Sequence, residues 1–360
     1  MWTASLVLAL VVGPARQAPT EAARIDAIVQ QHMQLPGAVG LSVAVARGDE
    51  VVYSRALGLA NLEFPVPVDE ETVFRIASVT KQFTAAAILR LSERGKLALD
   101  DPLTSFLPDF PTHGQDITLR HLLTHTSGIP NVTDLGKKWS DLAARELSHE
   151  EMLALWKDLP LDFAPGERWK YSNSGYYLLG MVIEALSGRS YDEFLRAEFF
   201  EPLGMSRTRL DSNAELIPDR AQGYAFANGV FQNDRLIGMS QPFSSGALLS
   251  TAGDLVRWQT ALASGRALKP QSYEEMKLPF VLADGSETTY GMGLFLSPVV
   301  GHPCVWHGGD IFGFNSALAY FPEGKLSIAA LSNSEKLSTE RLVEELAKAL
   351  LAESGKPSGG

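Results

Sequence analysis

Residues 74–81 read FRIASVTK and run directly into QFTAAAILRLSERGKL, residues 82–97. The second stretch is rich in Ala and Leu, lacks proline and is closed by Gly95, which reads as a helix over 79–94. Ser78 stands at the start of that helix with Lys81 three residues on, the only Ser-x-x-Lys spacing in the chain. Two readings are open: a helix cap beside a solvated lysine, or a nucleophile beside its proton acceptor. Residues i and i+3 of a helix share a face with Cβ atoms about 5–6 Å apart. An amide at a helix start has no intrahelical partner and can donate to an anion. A serine hydroxyl is a poor nucleophile until a neighbour takes its proton, and a lysine can do so only where burial or nearby positive charge keeps it neutral. Such a spacing arises by chance about once in a chain of this length, so this stretch alone leaves both readings standing.

Outward from it, the chain changes character twice. On the N-terminal side, residues 38–58 read as two strands joined at Arg47-Gly48-Asp49-Glu50, a hairpin turn rather than an adhesion motif. On the C-terminal side, helices are expected over 118–125, 149–157, 174–187 and 190–200, the last two ended by Gly188 and Pro202. Short strands return at 290–296, 303–308, 315–321 and 326–332, before an amphipathic helix from Thr339 to Ala352. Strands at both ends with helices between predict a sheet domain built from 20–77 and 216–353, a mainly helical domain over 78–215, and a flexible Gly/Ser/Pro tail at 354–360. A site is expected in the cleft between them.

Composition narrows the function. The 360 residues are 45% hydrophobic, enough for a real core, and carry a formal net charge of -11 with no basic cluster, which excludes a nucleic-acid partner. Cys304 is the single cysteine, so there is no internal disulfide and no Cys/His quartet for a structural zinc. The N-terminus has an apolar core from Leu6 to Val12 followed by Gly13-Pro14-Ala15, so residues 1–15 read as a signal peptide. That implies secretion or a periplasmic location; without cleavage the chain is cytoplasmic. The run is too short for a membrane span.

Two further constellations resemble chemistry. In FAPGERWKYSNSGYYLLG, Tyr171 and Asn173 lie at i and i+2, so in an extended segment both face the same way. Asn173 is explained equally by capping a helix that begins at Ser174, while Tyr171 can act as a phenolate or relay a proton. In VWHGGD, residues 305–310, paired glycines on a strand permit either a bulge or a close approach to the backbone by substrate. Cys304 and His307 are an odd number of residues apart and face opposite sides, which argues for a buried Cys304 rather than a Cys–His pair. His121 and His125 have the spacing of zinc ligands on a helix but lack the glutamate of a metalloprotease. Neither Gly-x-Ser-x-Gly nor a phosphate-binding glycine loop occurs. The stretch 250–254 is a helix start with no chemistry assigned.

Taken in order, FRIASVTKQFTAAAI, LLTHTSGIP, FAPGERWKYSNSGYYLLG, PLGMSRT, GALLSTAGDL, YGMGL and HGGDIFGFNS resemble the serine β-lactamase and penicillin-binding-protein superfamily, in its class C β-lactamase, DD-peptidase and esterase branch, over residues 25–335. The resemblance implies an α/β (α+β) fold of the β-lactamase/transpeptidase type: an antiparallel sheet flanked by terminal helices, plus a helical domain. It implies a serine acyl-enzyme without metal or cofactor, acting on a small-molecule or peptide substrate. Ser78 would attack, and Lys81 and Tyr171 would share general-base duty. Asn173 would bind a substrate amide or Lys81, and His307, Gly308, Gly309 and Asp310 would bind substrate or the oxyanion, Asp310 through its amide together with that of Ser78. Typical class C enzymes carry Lys-Thr-Gly where this chain has His307-Gly308-Gly309, which removes a fixed positive charge. The expectation is therefore an esterase or D-amino-acid peptidase. The alternatives are a true class C-like β-lactamase or DD-carboxypeptidase, and a non-catalytic peptidoglycan-binding relative.

Overall fold

The computed structural model describes residues 20–352. The signal peptide expected at 1–15 and the tail at 354–360 lie outside the described residues. The six-stranded sheet draws on both ends of the described chain: β1 (Gly40–Arg47), β2 (Glu50–Asn61) and β3 (Val66–Pro67) come early, β4 (Val305–Ile311), β5 (Phe314–Phe321) and β6 (Leu326–Ser332) late. The order is β3-β2-β1-β6-β5-β4 with antiparallel pairing throughout, so the two halves meet at the centre, where Leu41 pairs with Ser332 and Arg47 with Leu326.

The long helices are α1 (Glu21–Met33), α2 (Thr80–Glu93), α3 (Asn173–Ser187), α4 (Ala252–Ala263) and α5 (Thr339–Leu351). Alternation along the central strands divides the core in two. Leu41, Val43 and Val45 of β1, with Ile328 and Ala330 of β6, pack under α1 and α5. Ala44 of β1 with Ala329 and Leu331 of β6 face α4 and the larger core continuous with the helical region. Both faces being covered explains why these strands read as unbroken apolar runs rather than alternating ones.

Helix α2 is the axis of that larger core. Every residue from Thr80 to Leu89 is buried, and Phe83 stacks on Trp258 of α4 with ring centroids 4.2 Å apart. A helix apolar on all sides must be enclosed, and α3, α4 and residues 243–246 enclose it.

Several boundaries differ from those expected. Residues 290–296 form no strand; Tyr290 and Phe295 make isolated pairings around a turn at Gly293, φ +72°. A Cβ at Gly293 would come within 2.7 Å of the Lys81 carbonyl oxygen, so the segment is shaped by close contact with α2. The helix expected over 118–125 is only Leu119–Leu123, because His125 adopts a left-handed φ of +59°. That over 149–157 ends at Leu153. Helix α1 is one of the terminal helices that the resemblance implied, though no residue pattern marked it, and the helix Pro270–Met276 had no expected counterpart. Among the described residues no helix is long and apolar enough to cross a membrane.

Candidate active site

A single turn of 3-10 helix, Ala77–Val79, joins a short strand, Phe74–Arg75, to α2 and carries Ser78. Its hydrogen bonding begins one residue past the serine, where the Val79 amide donates to the Ile76 carbonyl. Ala77 sits at φ +45°, uncommon for a residue with a side chain and a mark of backbone held in place by its surroundings.

Lys81, one turn further, is 0% exposed. Its Nζ lies 3.1 Å from Ser78 Oγ, 2.8 Å from Asn173 Oδ1 and 2.8 Å from the Ser245 carbonyl oxygen. None of these partners is a carboxylate, and burial alone drives its pKa well below that of a free lysine. A neutral amine has two N–H bonds and one lone pair. The two oxygens that can only accept, Asn173 Oδ1 and Ser245 O, take the N–H groups, and the lone pair is left facing the Ser78 hydroxyl.

The Tyr171 hydroxyl donates to Ser78 Oγ at 2.8 Å. Burial pushes the phenol pKa up, against a smaller opposing effect of the Ser78 hydrogen bond, so the phenolate considered from the sequence is disfavoured in the resting site. Lys81 Nζ stands 4.7 Å from the centre of the Tyr171 ring. The cap reading of Asn173 is displaced by one residue. The cap of α3 is Ser172, whose Oγ accepts from the Gly175 amide, and Asn173 is the first helical residue. With capping done by its neighbour, the Asn173 side chain is free to hold Lys81. Its own amide donates to Asn131 Oδ1.

Strand β4 is the sheet edge beside this turn. The β4–β5 turn is two residues long, Phe312-Gly313, so Ile311 and Phe314 form the closing hydrogen-bonded pair and Asp310 opposite Asn315 a non-bonded pair. The Asp310 amide therefore points away from β5, to the open edge on the Ser78 side. Gly309 is required by close approach: a Cβ there would collide with the Ile76 carbonyl oxygen and Ser316 Oγ. At Gly308, on the other face, a Cβ would collide with the Glu340 carboxylate of α5. The close neighbours met on each face are thus parts of the protein, and the register with β5 runs unbroken through both glycines, which corrects the bulge reading.

His307 requires a correction as well. It is 2% exposed and takes no part in the cleft lining. Nδ1 lies 2.6 Å from the Gly308 carbonyl, which can only accept, so Nδ1 carries the proton and Nε2 accepts from the Tyr290 hydroxyl at 2.9 Å. Burial, reinforced by Lys81, lowers its pKa to about 3, so the ring offers a substrate neither charge nor a free nitrogen. Cys304 faces the α1/α5 core, opposite His307, as its spacing predicted.

The cavity in front of Ser78 has a volume of about 160 Å³. Val132, Trp139, Ile237, Ile311 and Phe312 give it apolar walls, and Asp310 is the one charged residue among its lining. Arg235 stacks on the Phe312 ring at 4.0 Å, outside that lining. No sequence motif pointed to Trp139 or Ile237, whereas Phe312 lies within HGGDIFGFNS. Ser245 and Gly293 do lie in or beside quoted motifs, where GALLSTAGDL and YGMGL were the available signals. His121 and His125 share no helix face, and among the described residues no group of three or more His, Cys, Asp or Glu side chains is arranged to hold a metal ion.

The family described as Beta-lactamase matches residues 25–353. Penicillin-binding protein 4* of Bacillus subtilis (strain 168) is 30% identical over 313 residues, covering 82% of this chain and 68% of that protein. Esterase EstB of Burkholderia gladioli is 40% identical over 197 residues, 51% of this chain and 50% of the esterase. Among solved structures, D-amino acid amidase from Ochrobactrum anthropi SV3 complexed with L-phenylalanine amide superposes with a TM-score of 0.80 at 28% identity, over 91% of this chain and 97% of the amidase.

Proposed function

The chain belongs to the beta-lactamase family and is a hydrolase of its serine type; we propose that it cleaves esters or amides whose acyl group carries no carboxylate, through an acyl-enzyme on Ser78. The observation that carries this reading is Ser78 Oγ lying within hydrogen-bond reach of both a buried Lys81 and the Tyr171 phenol. Lys81 accepts the serine proton as Oγ forms its bond to the substrate carbonyl carbon. The carbonyl electrons move to oxygen, which the amides of Ser78 and Asp310 stabilise; losing one such donor costs about 3–4 kcal/mol of transition-state stabilisation. When the bond to the leaving alcohol or amine breaks, the proton passes to it from Lys81 through Tyr171. Water then releases the acid by the same steps in reverse roles.

The cavity supports the finer reading. A volume of about 160 Å³ is close to the roughly 150 Å³ of an engineered apolar cavity that admits benzene. An acyl group up to about the size of a phenyl ring fits. A substrate carboxylate would find no cation in the lining. With His307 neutral as well, esters and amides, including those of D-amino acids, are favoured over β-lactams and DD-peptides.

The test compares wild type with Ser78→Ala on nitrophenyl acetate, D-phenylalanine amide and a chromogenic cephalosporin, together with fluorophosphonate labelling read by intact mass. Ester or amide turnover and a single label, both abolished in the variant, are expected. Undiminished turnover in Ser78→Ala would sink the mechanism, and a preference for the cephalosporin would sink the substrate assignment.

A further inference from the structure

Behind Tyr171 lies a histidine that the acyl transfer does not use. His125 is 1% exposed and closes the turn after the helix Leu119–Leu123 with a left-handed φ of +59°. It grips the chain on either side of the tyrosine: the Lys170 amide donates to its carbonyl oxygen at 2.9 Å, and the Ser172 amide donates to its Nδ1 at 3.2 Å. Its ring centroid is 4.3 Å from that of Tyr171, and Tyr176 and Tyr290 lie 5.0 Å and 4.7 Å away.

The ring's chemistry is fixed by these contacts. Accepting at Nδ1 places the proton on Nε2, which is buried and has no hydrogen-bond partner among the described residues. A second proton would set an N–H against the Ser172 N–H, and burial opposes it. A positive φ on a residue with a side chain and an unanswered buried N–H both cost stability. The turn itself needs neither, since glycine or asparagine adopts that φ more readily. What histidine alone combines here is an acceptor for the Ser172 amide and a flat ring behind Tyr171.

We propose that His125 is a positioning residue, holding both neighbours of Tyr171 and backing its ring so that the phenol hydroxyl stays on Ser78 Oγ. The proposal rests on the Ser78 acyl-enzyme reading. It is distinct from an ordinary packing role because its whole effect on turnover runs through the Tyr171 hydroxyl.

A double-mutant cycle on the full chain tests it, with nitrophenyl acetate kinetics, fluorophosphonate labelling rates and thermal unfolding. His125→Phe keeps a ring and removes the acceptor; kcat should fall about 10–100-fold with KM changed less than about threefold. His125→Asn, which tolerates the φ and offers an oxygen where Nδ1 stood, should recover to within about fivefold of wild type. In a Tyr171→Phe background, His125→Phe should cost less than about twofold, because the group it positions is gone. An equal loss in both backgrounds, or a wild-type kcat for His125→Phe, overturns the proposal. If His125→Phe does not fold, His125→Gly, which relaxes the φ and removes both acceptor and ring, carries the same expectations. Wild-type protein that the probe leaves unlabelled at Ser78 overturns the acyl-enzyme reading and this proposal with it, whereas labelled wild type with an additive cycle overturns the proposal alone.

Discussion

Below the cleft, Lys81 is wholly buried and its three directions are taken by Ser78, Asn173 and the Ser245 carbonyl; above it, the walls are Trp139, Ile237 and Phe312, apolar side chains supplied by a short helix, a loop and the β4–β5 turn. The floor is a closed polar network, in which each hydrogen bond limits where the next can go. The walls are held by van der Waals contact, which specifies volume and little else. Chemistry that must be repeated to a fraction of an ångström is placed in the first kind of environment, and selection among acyl groups in the second.

The floor should break most sharply where charge is imposed on it. Lys81→Arg replaces an amine that burial keeps neutral with a group that does not deprotonate, and kcat should fall about 10³-fold or more while the fold is retained. Retention of activity within tenfold would remove Lys81 as proton acceptor. In wild type the acceptor form grows as pH rises through the lowered Lys81 pKa, so the acylation rate should climb with pH to a plateau well below 10.5. Labelling rates across pH measure this directly.

Next in size is Gly309→Ala. The added methyl meets the Ile76 carbonyl oxygen and Ser316 Oγ, so β4 must move away from the Ser78 turn. Stability should fall by about 1–3 kcal/mol and kcat by about tenfold or more, since the Asp310 amide moves with the strand. Chemical denaturation and steady-state kinetics on one preparation separate the two effects.

Smaller is the pH dependence of stability caused by His307. Its pKa is about 3 in the folded chain against an ordinary value of 6.5. Between those values the unfolded chain binds a proton that the folded chain refuses, so stability is at its full value above about 6.5 and declines as pH falls toward 3. His307→Gln should flatten that decline. Unfolding midpoints at pH 7, 5 and 4 test it, and an unchanged slope would contradict the buried, neutral ring.

The walls should yield the least. Trp139→Ala enlarges the cavity without touching the floor, so acetyl-ester turnover should hold within about threefold. The ratio of phenylacetyl to acetyl kcat/KM should shift by about tenfold.

The same contrast explains what the sequence disclosed. Ser78 and Lys81 are one helical turn apart, and Tyr171 and Asn173 flank one extended residue, so local spacing encodes much of the floor. The sheet's mixed parentage could be read from strand-like runs at both ends. The cap and the site role of Asn173 stay open in the sequence because Ser172, beside it, caps equally well and the sequence does not rank them. His307 resembled a substrate contact because burial is a tertiary property: Tyr290 and the Gly308 carbonyl occupy its nitrogens only once the chain is folded. Trp139, Ile237 and Phe312 are far apart in sequence and share no spacing, so no pattern joins them before those segments meet.

The pairing of residue 41 with residue 332 at the centre of the sheet has a consequence during synthesis. A ribosome adds about 5–20 residues each second, so the strand that completes the sheet emerges on the order of ten seconds or more after Ser78 and Lys81. The groups that enclose Lys81, namely Asn173, Ser245 and Gly293, also follow it by about 90 to 210 residues. The nucleophile is thus made early and its surroundings late, an order that follows from a sheet whose two halves come from opposite ends of the described chain.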